Sequence, residues 1–242
     1  MSKKSYSVSS ENKINNFNKT IEVDSDKSIS IRSFIIGSIS QGITEVSNIL
    51  ESEDVFSTIN CLRKTGVKIN ISDNSVRVSG GTFSNKRVRV NCNNSGTTMR
   101  LLSGMYSGLE IPATLIGDSS LSSRPMKRII DPLMNMGVDI ESHNGKAPIT
   151  LKSFSLLPGK HIIHKPSAQV KSCIILAALG VDGESVIMQK TNTRDHLERL
   201  LEHISSNVIR CQDDKIYING GSDKILNSFC SISRRSERLF FL

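Results

Sequence analysis

Three stretches of this chain carry nearly the same pattern about seventy residues apart, and a repeat of that length constrains the fold more than any other feature of the sequence. Each opens a predicted helix with a cluster of small polar residues: Asp26-Lys27-Ser28-Ile29-Ser30, Asn94-Ser95-Gly96-Thr97-Thr98 and Ser167-Ala168-Gln169-Val170-Lys171. An apolar helix rich in small residues follows (33–40, 101–108 and 173–180), then a strand (43–50, 113–116 and 185–189) and a second, amphipathic helix. That helix closes on Gly66-Val67-Lys68-Ile69 in the first copy and on Gly137-Val138-Asp139-Ile140 in the second, 71 positions on. The third copy ends in Asn207-Val208-Ile209, with Asn207 expected in the left-handed cap that glycine takes in the other two. A last strand (75–78, 149–152 and 215–218) completes each unit. Units of βαβαββ form leave an apolar face open and must stack to bury it. The expected fold is therefore an α/β domain of three stacked repeats, about 21–80, 87–152 and 160–220, with the polar clusters gathered at one end.

Organisation along the chain supports that division. Residues 1–20 are polar, and the alternation at Ile21-Glu22-Val23 reads as a strand entering the first unit. Gly80-Gly81 and Pro158-Gly159 are turn signals ahead of entering strands at 87–90 and 161–164. The domain is expected to span 21–222. Beyond Gly220-Gly221 the pattern dissolves, and 223–242 is read as an irregular tail ending in Leu239-Phe240-Phe241-Leu242.

At 242 residues with 37% apolar content, the chain can bury a sizeable core. No apolar run approaches a membrane span and the opening lacks a signal peptide's apolar centre, so a cytoplasmic protein with no membrane partner is expected. Cys61, Cys92, Cys173, Cys211 and Cys230 stand without a CxxC pair or clustered histidines, and are read as reduced buried thiols with no zinc site. A net charge of +8 suits either a nucleic-acid surface or an anionic small molecule. With 5% aromatic residues, no Trp and no basic run interleaved with aromatics, nucleic acid is the poorer reading, and most lysines are taken as solvated surface.

The polar clusters suit anions for a physical reason. A helix N-terminus presents N–H groups without intrahelical partners and the positive end of its dipole. Lys27 and Arg32 add full charges at the first helix, Ser28 adds a hydroxyl, and Gly96 permits close backbone approach to a ligand. Each cluster alone reads as an ordinary N-cap; three in register, each with a Lys or Arg nearby, read as a site. Arg124 stands before the second helix of the second repeat and Arg194 at the same place in the third, where a forked guanidinium can grip a carboxylate or phosphate. In the first repeat that place holds Ser52-Glu53-Asp54, read as residues that merely favour a helix start. His196, beside Arg194, is expected to face solvent in a helix first turn.

At these residues the chain resembles the 5-enolpyruvylshikimate-3-phosphate synthase family, 3-phosphoshikimate 1-carboxyvinyltransferases. The similarity lies in Asp26-Lys27-Ser28-Ile29-Ser30-Ile31-Arg32, Asn94-Ser95-Gly96-Thr97-Thr98-Met99-Arg100 and Arg124-Pro125-Met126. It continues in Ser167-Ala168-Gln169-Val170-Lys171-Ser172 and Thr193-Arg194-Asp195-His196, the form of the Ser-Ala-Gln bacterial class. It runs in order from about Ile21 to Gly220 with motif spacing kept. The resemblance implies an inside-out barrel of three βαβαββ units, and transfer of the enolpyruvyl group of phosphoenolpyruvate to shikimate 3-phosphate without metal or organic cofactor. It implies that Lys27, Ser28, Arg32, Ser167, Ala168, Gln169 and Arg194 hold shikimate 3-phosphate. Lys27, Gly96, Arg124 and Gln169 would meet phosphoenolpyruvate, with Lys27 also relaying a proton.

The chain departs from the family pattern in three places. Asp24-Ser25 replaces a usual Pro-Gly, and Ile31 replaces a usual polar residue, so the support around Arg32 is expected to differ. The family also has a second domain of similar size that carries a catalytic Asp and Glu, and nothing here resembles it. The expectation is a truncated or frameshifted product that is inactive alone, or one completed by a separate C-terminal half. Two alternatives stand beside the main reading: a non-catalytic remnant that binds shikimate 3-phosphate only, and the enolpyruvyl transferase acting on UDP-N-acetylglucosamine. The latter carries a reactive Cys before its Arg-Pro, where this chain reads Gly117-Asp118-Ser119-Ser120-Leu121-Ser122-Ser123.

Overall fold

The computed structural model describes residues 25–72, 75–84, 86–205, 207–221, 226 and 230–232. The first unit runs α1 (Lys27–Ile39), β1 (Gly42–Ser47), α2 (Glu53–Lys64), β2 (Lys68–Ile71), β3 (Ser75–Gly80). The second is β4 (Val88–Asn91), α3 (Gly96–Gly108), β5 (Ala113–Ile116), a short α4 (Ser119–Ser123), α5 (Lys127–Asn135), β6 (Val138–His143) and β7 (Lys146–Phe154). The third is β8 (Lys160–Ile163), α6 (Ala168–Ala178), β9 (Gly183–Gln189), α7 (His196–Ile204), β10 (Ile209–Gln212) and β11 (Lys215–Gly220), followed by β12 (Cys230–Ile232).

The three sheets have one topology, β12-β1-β3-β2, β4-β5-β7-β6 and β8-β9-β11-β10, in which the first pair is parallel and the others antiparallel. The predicted entering strand at 21–23 lies outside the described residues. The place beside β1 that β4 and β8 hold in their sheets is taken by β12, with Glu45 opposite Cys230. The tail read as irregular thus contains a strand, whose pairing is set by a partner almost two hundred residues away rather than by a local pattern.

Two kinds of helix separate by composition. In α1, α3 and α6 nearly every residue is buried, including Ser30, Ser33 and Ser38, Ser103 and Ser107, and Ser172. A helix that is apolar and small all round belongs inside. Small residues let the inner helices approach: a Cβ on Gly104 of α3 would stand 2.1 Å from the Cys173 carbonyl oxygen of α6. The outer helices α2, α5 and α7 bury one stripe each, Val55, Ile59 and Leu62, then Ile129, Ile130 and Leu133, then Leu197, Leu200, Leu201 and Ile204. Strands contribute alternate residues, such as Val76 and Val78 or Ile149 and Leu151, to one continuous core.

The predicted closures of the second helices hold in two units. Gly66 and Gly137 take φ of 99° and 103°, one residue past the caps Thr65 and Met136. The third differs: α7 ends at Ile204 on an extended Ser205 (φ −161°, ψ 94°), so Asn207 lies beyond the capping position. The strand expected over 43–50 stops at Ser47, where Asn48 turns to φ 50° and breaks the ladder. Cys61, Cys92 and Cys173 are buried free thiols, but Cys211 is exposed, because β10 at its sheet edge turns only Ile209 inward. Among the described residues no helix is long and apolar enough to cross a membrane.

Candidate active site

The three polar clusters do act as N-caps. Asp26 Oδ1 accepts from Ile29 N at 2.9 Å, Ser95 Oγ from Thr98 N at 3.2 Å and Ser167 Oγ from Val170 N at 3.4 Å. Each cap uses the N–H of the third helical residue, which leaves the first two N–H groups without intrahelical partners. Capping and anion binding are therefore compatible at one helix end.

Ser28, Arg32, Ser167, Ala168, Gln169 and Arg194, together with Pro166, Thr193 and His196, line a single cavity of about 310 Å³. Lys27 lies next door, in an open cavity of about 650 Å³ that shares Ser28 and Arg194 and includes Asn94 and Asp54. Arg32 forms the floor. It is 4% exposed, its Nη1 donates to Ser28 O at 3.1 Å and its Nη2 to Ser172 Oγ at 3.0 Å. Its Nε is buried and finds no hydrogen-bond partner among the described residues. Burial lowers the guanidinium pKa to about 10, with Glu198 and Asp26 opposing that fall, so the side chain stays cationic at neutral pH. Ile31, where the sequence departs from the family, is fully buried in the core; Arg32 is held by serines instead.

Behind Arg32 lies an ion pair, Lys171 Nζ to Glu198 Oε1 at 2.5 Å, with both side chains almost fully buried. Lys171 also reaches Thr193 O at 3.5 Å, tying the loop before α7 to α6. Burial raises the Glu198 carboxyl pKa above its usual range, an effect the adjacent lysine only partly offsets.

A second cationic group surrounds Gly96. Arg100 Nη1 donates to Gln169 Oε1 at 2.7 Å and to Gly96 O at 3.3 Å, while Gln169 Nε2 donates to Thr97 Oγ1 at 2.8 Å. Arg124 Nη2 donates to Asn94 Oδ1 at 2.5 Å and to Ser120 Oγ at 3.3 Å. A Cβ on residue 96 would lie 2.8 Å from Arg100 Nη1 and 3.5 Å from Arg124 Nη1, so glycine keeps open the space between two guanidinium groups. Burial is the main cause that lowers the Arg100 pKa, followed by the charges of Arg124 and Arg128. Gln169 joins the two groups, lining the Arg32 cavity while bonded to Arg100.

Three residues differ from their sequence reading. His196 does not face solvent; it is half-buried in the Arg32 cavity, because α7 starts under the mouth of α6. Asp54 does more than favour a helix start: Asp54 Oδ2 accepts from Lys27 Nζ. Arg100, to which the sequence assigns no role of its own, is central to the second group. Its signal was available, since side chains on a helix lean toward the N-terminus and a residue four beyond Gly96 reaches back to the helix mouth.

Two βαβαββ units and a third whose sheet is completed by β12, stacked around buried helices with cationic groups collected at the helix N-termini, define the enolpyruvyl transferase class of fold. The sequence model of the EPSP synthase (3-phosphoshikimate 1-carboxyvinyltransferase) family matches residues 11–242, and the chain belongs to that family. The 3-phosphoshikimate 1-carboxyvinyltransferase of Caldicellulosiruptor bescii is 42% identical over 205 residues, covering 83% of this chain and 47% of the relative. That of Vesicomyosocius okutanii is 40% identical over 235 residues, covering 96% and 54%. The solved EPSP synthase of Acinetobacter baumannii is similar with a TM-score of 0.80 at 34% identity, covering 88% of this chain and 49% of that one. The chain spans about half the length of the curated relatives it matches.

Proposed function

We propose that this chain provides one face of a 3-phosphoshikimate 1-carboxyvinyltransferase site. Lys27, Ser28, Arg32, Ser167, Ala168, Gln169 and Arg194 hold shikimate 3-phosphate, and Lys27, Gly96, Arg124 and Gln169 meet phosphoenolpyruvate. The observation that carries this reading is the buried Arg32, a cation with an unused donor at the floor of a cavity of about 310 Å³. A buried cation is unfavourable unless it is fully paired; Glu198 and Asp26 offset the burial of Arg32 only in part, and a phosphate placed there takes up the donor that the fold leaves open.

The substrate hydroxyl gives up its proton as its oxygen bonds to the phosphate-bearing enol carbon of phosphoenolpyruvate and the methylene carbon gains a proton. The tetrahedral adduct then loses a proton from that methyl group as its carbon–oxygen bond to phosphate breaks, releasing phosphate and leaving an enol ether. Both substrates and the adduct are multiply anionic, so cations fixed before they arrive stabilise the charge that develops. The Gln169 bridge sets the spacing between the two anion subsites. Lys27, in the open cavity next to that of Arg32 and paired with Asp54, is the residue assigned to relay the proton. Calorimetry with shikimate 3-phosphate, shikimate and UDP-N-acetylglucosamine tests this directly. Binding of the first, with loss of affinity when its phosphate is absent, is expected; tighter binding of the UDP sugar would overturn the reading.

A further inference from the structure

His196 is the first residue of α7, and its ring lines the Arg32 cavity beside Ser28, Ser167, Gln169 and Arg194. Its Nδ1 is buried and finds no hydrogen-bond partner among the described residues. A buried imidazole nitrogen is ordinarily satisfied, and the same cavity is lined by Arg32, whose Nε also lacks a partner among the described residues, and by Ser28 and Ala168 from the first turns of α1 and α6. The residues that carry these two orphans, a guanidinium N–H and an imidazole nitrogen, thus line one cavity of about 310 Å³.

We propose that His196 is a contact for the substrate phosphate: its Nδ1 hydrogen-bonds the anion that Arg32 and Arg194 hold, and anion binding draws a proton onto the ring. This rests on the proposed function for the identity of the anion. Burial is the largest cause that lowers the His196 pKa, and the charge of Arg32 is the next. Arg194 acts in the same direction, while Asp26 at the start of α1 and Asp195 before α7 oppose it. Glu198 and Lys171, facing Arg32 from α7 and α6, are paired with each other. On β10, packed against the same helix, Cys211 turns to Glu202. Burial, with the charges of Arg32 and Arg194 added to it, therefore disfavours the imidazolium against the opposing pull of Asp26 and Asp195. A dianion placed between Arg32 and Arg194 reverses the local field, and the ring becomes a charged donor to that anion.

The test uses the whole chain with ¹³C-labelled histidine, following the His196 ring resonance, assigned by its absence in His196→Asn. The His196 pKa is expected to rise when shikimate 3-phosphate saturates the protein, and likewise with inorganic phosphate. His196→Phe, which removes the polar ring nitrogens, should weaken binding about tenfold. His196→Asn, which keeps a donor near the place of Nδ1, should retain most of the affinity but take up no proton on binding. A merely structural histidine would leave the pKa unmoved by ligand, and that result overturns the inference, as does full affinity in the Phe variant. If His196→Phe does not fold, the wild-type titration and the Asn variant decide. A pKa rise with inorganic phosphate but no preference for shikimate 3-phosphate would retain the inference and remove the proposed function. Tight shikimate 3-phosphate binding with an unmoved His196 would do the reverse.

Discussion

Lys27 Nζ stands 2.5 Å from Asp54 Oδ2, which puts a carboxylate beside a cation proposed to meet both substrates. The two side chains are 44% and 24% exposed, so solvent screens the pair and it contributes at most about 1 kcal/mol to stability. Its position matters more than its strength. The carboxylate holds the ammonium at the edge of the cavity and competes there with an incoming anion.

Asp54→Asn should therefore change urea-unfolding stability by less than about 1 kcal/mol while tightening the binding of inorganic phosphate. Weaker phosphate binding in the variant would mean that Asp54 organises the site rather than competing within it.

Arg32 gives a second expectation. Lysine at this position keeps the charge but cannot serve Ser28 O, Ser172 Oγ and a ligand at once. Arg32→Lys should weaken shikimate 3-phosphate by about 1.5–3 kcal/mol, and the exposed Arg194→Lys by less. Calorimetry on both variants checks the order; an equal or inverted effect would move the phosphate toward the cavity mouth.

The parts of this arrangement visible in the sequence are those fixed by local chemistry. Asp26, Ser95 and Ser167 announce helix starts because their side chains cap a nearby N–H, and Gly66 and Gly137 announce helix ends because they tolerate positive φ. The small buried residues of α1, α3 and α6 likewise mark inner helices before any packing is known. What the sequence conceals is non-local. Asp54 reads as a helix-start acid until α1 brings Lys27 to it, and His196 reads as solvated until α6 and α1 close over it. The β12 strand is defined only by its parallel pairing with β1. The Lys171–Glu198 pair links two helices at positions where each residue alone suggests surface.

That pair supports a third expectation. Lys171→Met leaves Glu198 buried without its cation and should destabilise the fold by about 3–5 kcal/mol, whereas Lys171→Met with Glu198→Leu should recover most of the loss. Burial already places the folded pKa of Glu198 above its unfolded value, and removing the lysine raises it further. The native state then holds a proton that the unfolded state releases, so stability falls as pH rises from the unfolded value through the folded one. The single variant should be less impaired at pH 5 than at pH 8 in denaturant titrations. A loss independent of pH would assign the defect to packing instead of charge.

The last expectation concerns how the inner helices set the distance between the two anion groups. Gly104 lies where α3 touches α6, and an added Cβ would stand 2.1 Å from Cys173 O and 2.9 Å from Cys173 Cα, contacts with backbone that no rotamer change relieves. The helices must part, at a cost of about 1–3 kcal/mol or somewhat more. Their N-termini carry the Arg100 Nη1 to Gln169 Oε1 bond of 2.7 Å and the Gln169 Nε2 to Thr97 Oγ1 bond of 2.8 Å, which link the Gly96 group to the Arg32 cavity. Gly104→Ala should therefore lower both the melting temperature and the affinity for shikimate 3-phosphate, although residue 104 lines none of the cavities described for the site. Gly159→Ala is the matched control, since the nearest atom to its Cβ would be His161 Cε1 at 3.9 Å, and it should leave both quantities unchanged. If Gly104→Ala melts like the wild type, α3 and α6 are not held at backbone contact. If it melts lower but binds with full affinity, the Gln169 bridge does not depend on their spacing.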